Sequence, residues 1–156
     1  MKAEAFDNVH ILIVDGKAGN ARLLRGIFLA LGVADVTLAE DTDRALELLT
    51  GRTFQAVFCD EAVGPLDAAT FVRAVRCGGA IANPRTPILM IADALNRAQV
   101  EMVRDAGVND LIVRPLTTGG VKRKLLGLMR QAKGFAAENR AETPMSPQKD
   151  LETWEV

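Results

Sequence analysis

The chain has a single histidine, His10, and two cysteines, Cys59 and Cys77, none at a metal-ligand spacing from another. A histidine-rich metal centre and a zinc site therefore have no ligand set. A nucleophile–histidine pair is excluded too, because His10 sits at the start of an apolar run. Long apolar runs are missing. The first, Val9–Val14, is interrupted by His10 and stopped by Asp15, too short for a membrane span or a signal-peptide core. The turn after it, Asp15–Asn20 (DGKAGN), has neither G-x-G-x-x-G spacing nor a Gly-Lys-Ser/Thr ending, which disfavours a dinucleotide or P-loop site. The formal net charge is only −1, which argues against nucleic acid as a main partner. These exclusions lead to the expectation of a soluble, cytoplasmic protein with reduced thiols and no enzymatic centre of these kinds.

With 156 residues, 49% hydrophobic and 25% charged, the composition is that of one globular domain. Apolar runs alternate with amphipathic stretches from residue 9 to residue 132. Val9–Val14, Asp35–Ala39, Phe54–Cys59, Thr86–Ile91 and Asn109–Val113 read as short strands, most of them continuously apolar and so buried on both faces. Helices are expected between them. The first covers Ala18–Leu31, with Leu23, Leu24, Ile27, Phe28 and Leu31 on one face and Gly32 placed for a left-handed cap. The second starts at Asp41 or Thr42 and closes at Gly51; the third is capped by Asp67 and runs to Cys77. The fourth spans about Leu95–Ala106 before Gly107, and the last starts at Thr117 or Thr118 and ends near Lys133. Five strands alternating with five helices predict an α/β fold, a doubly wound parallel sheet in the order 2-1-3-4-5. Residues 134–156 lose the periodicity and gain Pro144 and Pro147, so residues 1–133 are expected to form the domain and 134–156 a flexible C-terminal tail. That tail is acidic, and its Trp154 reads either as part of a frayed terminus or as an anchor on a partner or on a second copy in a homodimer. By contrast, no acid falls between Asp110 and Glu138.

In a sheet of this order, ligands bind beyond the carboxyl ends of the strands, between the first and the third. Asp15 ends the first strand and Asp60 the third, so two carboxylates face one crevice. Ala92 ends the fourth strand, Arg114 the fifth, and the loop Glu61–Leu66 forms one wall. ILIVD (Ile11–Asp15), the VFCD step into Asp60, LG (Leu31-Gly32), AED (Ala39–Asp41), DAG (Asp105–Gly107) and IVRP (Ile112–Pro115) follow one another in order over about 125 residues. Through them the chain, from about residue 8 to 132, resembles the receiver domain of bacterial response regulators, a flavodoxin-like fold.

The resemblance implies a phosphoryl switch. Asp60 stands where the family's aspartate accepts a phosphoryl group from a histidine kinase or phosphotransfer protein. Asp15, Asp60 and the backbone carbonyl of Ala62 stand where Mg²⁺ is held. Arg114 takes the place of the lysine that neutralises the phosphoryl group, followed as in the family by a proline, Pro115, expected in a cis peptide. The pattern is broken elsewhere. Gly16 follows Asp15 where a second acid is usual, Ala92 replaces a hydroxyl residue, Leu111 replaces an aromatic one, and VGPLDA (Val63–Ala68) lacks the usual Met-Pro pair. Mg²⁺ is therefore expected to bind weakly, and Ala92 and Leu111 mark degenerate switch positions. Asp93 and Glu61 are candidates for the missing acid, against a helix cap for Asp93 and a solvent-exposed side chain for Glu61. Cys59 reads as core, Cys77 as a helix-end residue, His10 as structural. Output is expected through protein contact on the face of the fourth helix, fifth strand and fifth helix, where Arg97, Arg104, Lys122 and Lys124 could meet an acidic partner; no membrane or nucleic-acid partner is expected. Three roles remain open at this point: a phosphorelay receiver, an adaptor that binds without phosphorylation, and a small-ligand binder using the same crevice.

Overall fold

A computed structural model describes residues 6–141, with side chains through residue 132. Ten elements alternate along the chain: β1 (His10–Val14), α1 (Ala18–Ala30), β2 (Asp35–Ala39), α2 (Thr42–Gly51), β3 (Ala56–Asp60), α3 (Ala68–Cys77), β4 (Ile88–Ala92), α4 (Arg97–Ala106), β5 (Asp110–Val113) and α5 (Thr118–Ala141). The strands form one parallel sheet in the order β2-β1-β3-β4-β5, as expected. Every residue of β3 and β4 is buried, because helices cover both faces. Alternate strand residues divide between two cores. Leu12, Val14, Val57 and Met90 pack with α2, α3 and α4, whereas Ile11, Ile13, Phe58 and Leu89 pack with α1 and α5. On the second face Phe28 meets Phe58 edge to face, with ring centroids 4.8 Å apart.

Element edges moved where a local bond overrides the apolar pattern. β3 starts at Ala56 rather than Phe54 and runs on through Asp60. β4 starts at Ile88 rather than Thr86, since Pro87 has no N–H to offer and the Thr86 hydroxyl donates to the Asn83 carbonyl. α4 starts at Arg97 rather than Leu95, set by a capping box in which Asn96 and Gln99 bond each other's backbone N–H. Gly51 is the last residue of α2 rather than its cap, and Arg52 follows with its guanidinium 4.5 Å from the Phe54 ring centroid. Asp41 and Asp67 cap α2 and α3 as expected, and Gly32 and Gly107 adopt the positive φ of helix ends. α5 continues to Ala141, past the expected end near Lys133. Its last stretch, rich in alanine with a glutamate and an arginine, carries helix-favouring residues that the loss of amphipathic periodicity concealed. The expected boundary at residue 133 thus falls within α5, and Trp154 lies outside the described residues.

The loops opposite the strand carboxyl ends are tied by Arg76, near the end of α3. Its guanidinium donates to the carbonyls of Gly107 (2.7 Å), Pro84 (2.8 Å) and Thr86 (2.7 Å) and to Asn109 Oδ1 (2.8 Å). All of these acceptors are neutral. Burial lowers the Arg76 pKa to about 10, so the group is still charged at neutral pH. Asn109 Oδ1 also accepts the Ile88 N–H, which joins the start of β4 to the approach to β5. Replacing Arg76 by Met keeps much of the stem volume and strips three carbonyls of their side-chain donor, while Asn109 Oδ1 keeps the Ile88 N–H. The expected loss is about 2–4 kcal/mol of stability, read from urea denaturation. A loss well under 1 kcal/mol would show that water takes over these acceptors.

Candidate functional site

The carboxyl ends of the five parallel strands lie along one edge, and the register decides which residues meet there. Val14 pairs with Cys59, so the next residues, Asp15 and Asp60, stand side by side. Ala92 pairs with Val113, so Asp93 stands beside Arg114. Asp15 and Asp60 are only 6% and 4% exposed. Each has one oxygen held by a backbone N–H in the following loop: Lys17 N–H donates to Asp15 Oδ1 (2.8 Å), and Ala62 N–H to Asp60 Oδ2 (3.0 Å).

The other two oxygens face Arg114. Its Nη2 donates to Asp60 Oδ1 at 2.6 Å and lies 3.7 Å from Asp15 Oδ2. Its Nη1 donates to Asp93 Oδ1 at 3.2 Å. One guanidinium therefore faces three carboxylates, two buried and one with a largely exposed side chain. Burial, seconded by the charge of Asp60, raises the Asp15 pKa above the usual carboxylate value, against the Lys17 N–H and Arg114, which lower it. Burial works to lower the Arg114 pKa, but the hydrogen bond and charge of Asp60, with those of Asp93, outweigh it and raise the value. Burial also pushes the Cys59 thiol up, helped by the nearby charges of Asp60 and Asp15, so this core cysteine is protonated.

Several expectations are placed by this geometry. Asp15, Asp60 and Arg114 are brought together, and the Arg114–Pro115 peptide is cis. Ala62 contributes its N–H to Asp60 at the start of an exposed loop. Ala92 and Leu111 are fully buried, one at the end of β4 and the other in the core. Asp93 does not cap α4; Asn96 does, because its side chain reaches the Gln99 N–H while Asp93 is drawn to Arg114. Glu61 is half-buried rather than exposed, since its N–H bonds the Ile91 carbonyl and extends the strand pairing. Cys77 ends α3 on the surface, and His10 Nδ1 lies 3.4 Å from Asp35 Oδ2, a position without chemistry.

The four basic residues of the expected partner face are unequal. Arg97 and Lys122 are exposed, Arg97 alongside Glu101 at 3.3 Å. Arg104 has a side chain only 14% exposed, with Asp105 at 3.7 Å, and Lys124 Nζ is bound to Asp110 at 3.1 Å. Two of the four charges are thus largely spent within the domain. Asp93 is the site residue that sequence reasoning assigned otherwise. Its signal was the register: it follows the last residue of β4 as Arg114 follows the last residue of β5.

The donor set suits a hard divalent cation loosely. Mg²⁺ takes oxygen ligands and keeps several waters, and Asp15 and Asp60 present two carboxylates side by side. Gly16 adds no ligand, and Arg114 already contacts both carboxylates. Among the described residues no group of three or more His, Cys, Asp or Glu is placed to hold a metal. Beside the carboxylates opens a cavity of about 500 Å³ between α1 and the ends of β4 and β5, lined by Asn20, Leu23, Arg114 and Pro115 among others. Among the described residues, no helix is long and apolar enough to cross a membrane.

Known proteins share this sequence pattern and this fold. The chain is 27% identical over 124 residues to the chemotaxis protein CheY of Pseudomonas aeruginosa, covering 80% of this chain and 98% of that one. It is 30% identical over 125 residues to chemotaxis protein CheY-3 of Vibrio cholerae, covering 80% and 95%. Among solved structures, the receiver domain of sensor histidine kinase PA1611 from Pseudomonas aeruginosa PAO1 superposes with a TM-score of 0.69 at 24% identity, over 78% of this chain and 97% of that one. That structure has a magnesium ion coordinated in its active site cleft. The family profile of the response regulator receiver domain matches residues 11–125, and the chain belongs to that family.

Proposed function

We propose that this protein is a receiver in a two-component or phosphorelay pathway. Asp60 is its phosphoacceptor, a histidine kinase or phosphotransfer protein its donor, the cytoplasm its setting and protein contact its output. The observation that carries the reading is Asp60 itself: a carboxylate at the end of β3, at the mouth of a crevice, with Arg114 Nη2 2.6 Å from Oδ1. The acceptor oxygen forms the new P–O bond while the donor's bond to phosphorus breaks and the leaving group keeps its electron pair. The Ala62 N–H orients the carboxylate through Oδ2. Arg114, always protonated, then lies within reach of the phosphoryl oxygens, which a guanidinium binds well. Asp15, Asp60 and the Ala62 carbonyl would hold Mg²⁺, which when bound supplies positive charge to the incoming phosphoryl group.

A second reading has its own support. Ala92 is fully buried and its side chain has no hydrogen-bonding group, and Leu111 is fully buried in the core. A ligand shifts a two-state protein only by its differential affinity for the two states. A phosphoryl group with no hydroxyl at position 92 to bond, and no ring at position 111 to reorient, has little to discriminate with. An adaptor that engages its partner through exposed residues such as Arg97 and Lys122 independently of phosphorylation fits those two positions.

Incubation with phosphoramidate and Mg²⁺, followed by borohydride trapping and mass mapping, separates the readings. The expected label is on Asp60 and is absent from Asp60→Asn. Undiminished labelling of Asp60→Asn would remove Asp60 as acceptor, and absence of label from the wild type would favour the adaptor.

Metal affinity is the second check. A Cβ built on Gly16 meets only the Glu40 carbonyl, at 3.4 Å, so the backbone there accepts a side chain. Gly16→Asp is expected to tighten Mg²⁺ binding about tenfold, 1.4 kcal/mol, in a calorimetric titration. Equal affinities would show that the missing acid is not what weakens the site.

A further inference from the structure

The bonds around Arg114 go beyond what neutralising a transferred phosphoryl group requires. Before any phosphoryl group arrives, its Nη2 already lies on Asp60 at 2.6 Å and near Asp15 at 3.7 Å. We propose that Arg114 is the resident cation of this site and takes over the charge role of a divalent metal, so that phosphoryl transfer to Asp60 proceeds without one. The proposal rests on Asp60 being the acceptor.

Two carboxylates that are 6% and 4% exposed repel each other and have lost most of their water. Such a pair needs a positive charge between its oxygens. The oxygens not held by backbone N–H groups, Asp60 Oδ1 and Asp15 Oδ2, are the ones Nη2 faces. Asp15 and Asp60 are also the carboxylates that would hold a divalent ion, so ion and guanidinium would compete for the same pair. The competition is tilted by the rest of the site. Gly16 supplies no further carboxylate, and no third acid among the described residues joins a metal-binding group. The guanidinium is anchored from outside, since Nη1 is bonded to Asp93 Oδ1 at 3.2 Å. A planar fork can hold Asp93 with one arm and the buried pair with the other; the single ammonium of a lysine cannot divide itself in this way. A protein-borne guanidinium is also present at full charge at any metal concentration.

With phosphoramidate as donor the step balances without metal. An Asp60 oxygen forms the P–O bond, the P–N bond of phosphoramidate protonated on nitrogen breaks, and ammonia leaves with the electron pair. Nη2 is freed from Asp60 as that oxygen loses its charge, and it can turn to the phosphoryl oxygens while Asp93 retains Nη1.

The test compares full-length wild type, Arg114→Gln and Arg114→Lys, each labelled by phosphoramidate in EDTA or in Mg²⁺, and each titrated with Mn²⁺ by electron paramagnetic resonance. Wild type is expected to label at rates within about threefold in the two buffers, and Arg114→Gln to lose about tenfold or more in EDTA, 1.4 kcal/mol of barrier, with partial rescue by Mg²⁺. Mn²⁺ should bind Arg114→Gln about tenfold more tightly than wild type, because the competing charge is gone. Arg114→Lys, which keeps the charge without the fork, should become dependent on Mg²⁺, and it decides the matter should the glutamine variant not fold. Wild type that labels only in Mg²⁺, or Mn²⁺ binding unchanged by removal of the guanidinium, would overturn the resident-cation proposal and leave Asp60 as acceptor. Wild type that labels in neither buffer would overturn both.

Discussion

Parallel pairing of β1 with β3 sets Asp15 beside Asp60 out of water, and the site is organised around that pair. Two carboxylates desolvated side by side repel each other and call for a cation. The loop N–H groups of Lys17 and Ala62 take one oxygen from each. The remaining oxygens are matched by a single side chain, Arg114, reaching over from the far edge of the sheet. Asp93, one strand away, holds the other arm of that guanidinium.

An arginine in this place does what a lysine could not. Its planar fork lets one residue face three carboxylates at once, with each Nη in a different part of the site. Ala92 and Leu111, both fully buried, bring neither a hydroxyl nor a ring to their two positions. Around the site, the α4–β5–α5 side offers fewer free charges than its basic residues suggest, because Lys124 is turned onto Asp110 and Arg104 is mostly covered.

The opposite end of the domain shows what holds the scaffold steady. Arg76 gathers carbonyls from the loops before β4 and β5, with Asn109 as a shared acceptor. A half-buried guanidinium bonded wholly to neutral acceptors ties together the starts of two adjacent strands. It thereby steadies the register in which Asp93 and Arg114 emerge at their other ends. Structure at one edge and chemistry at the other are linked by strands only four or five residues long.

The alternation of buried runs with amphipathic stretches was enough to determine five strands, five helices, their parallel pairing and the edge on which Asp15, Asp60, Ala92 and Arg114 gather. Apolar periodicity and right-handed crossovers are properties that a linear sequence carries in full. Caps such as Asp41, Asp67 and Gly107 were legible for the same reason, being local. The length of α5 was not, because helix-favouring residues continue where amphipathicity stops. Only tertiary structure decided the partners of the charged side chains: Asp93 with Arg114 instead of a cap, Lys124 with Asp110 instead of an acidic partner, Arg76 with the carbonyls of two loops. Each of these bonds joins residues 14 to 31 positions apart in the chain, through geometry that exists only once strands and helices have packed. A charge reads alike in the sequence whether it will face water or another charge, and packing alone makes that choice.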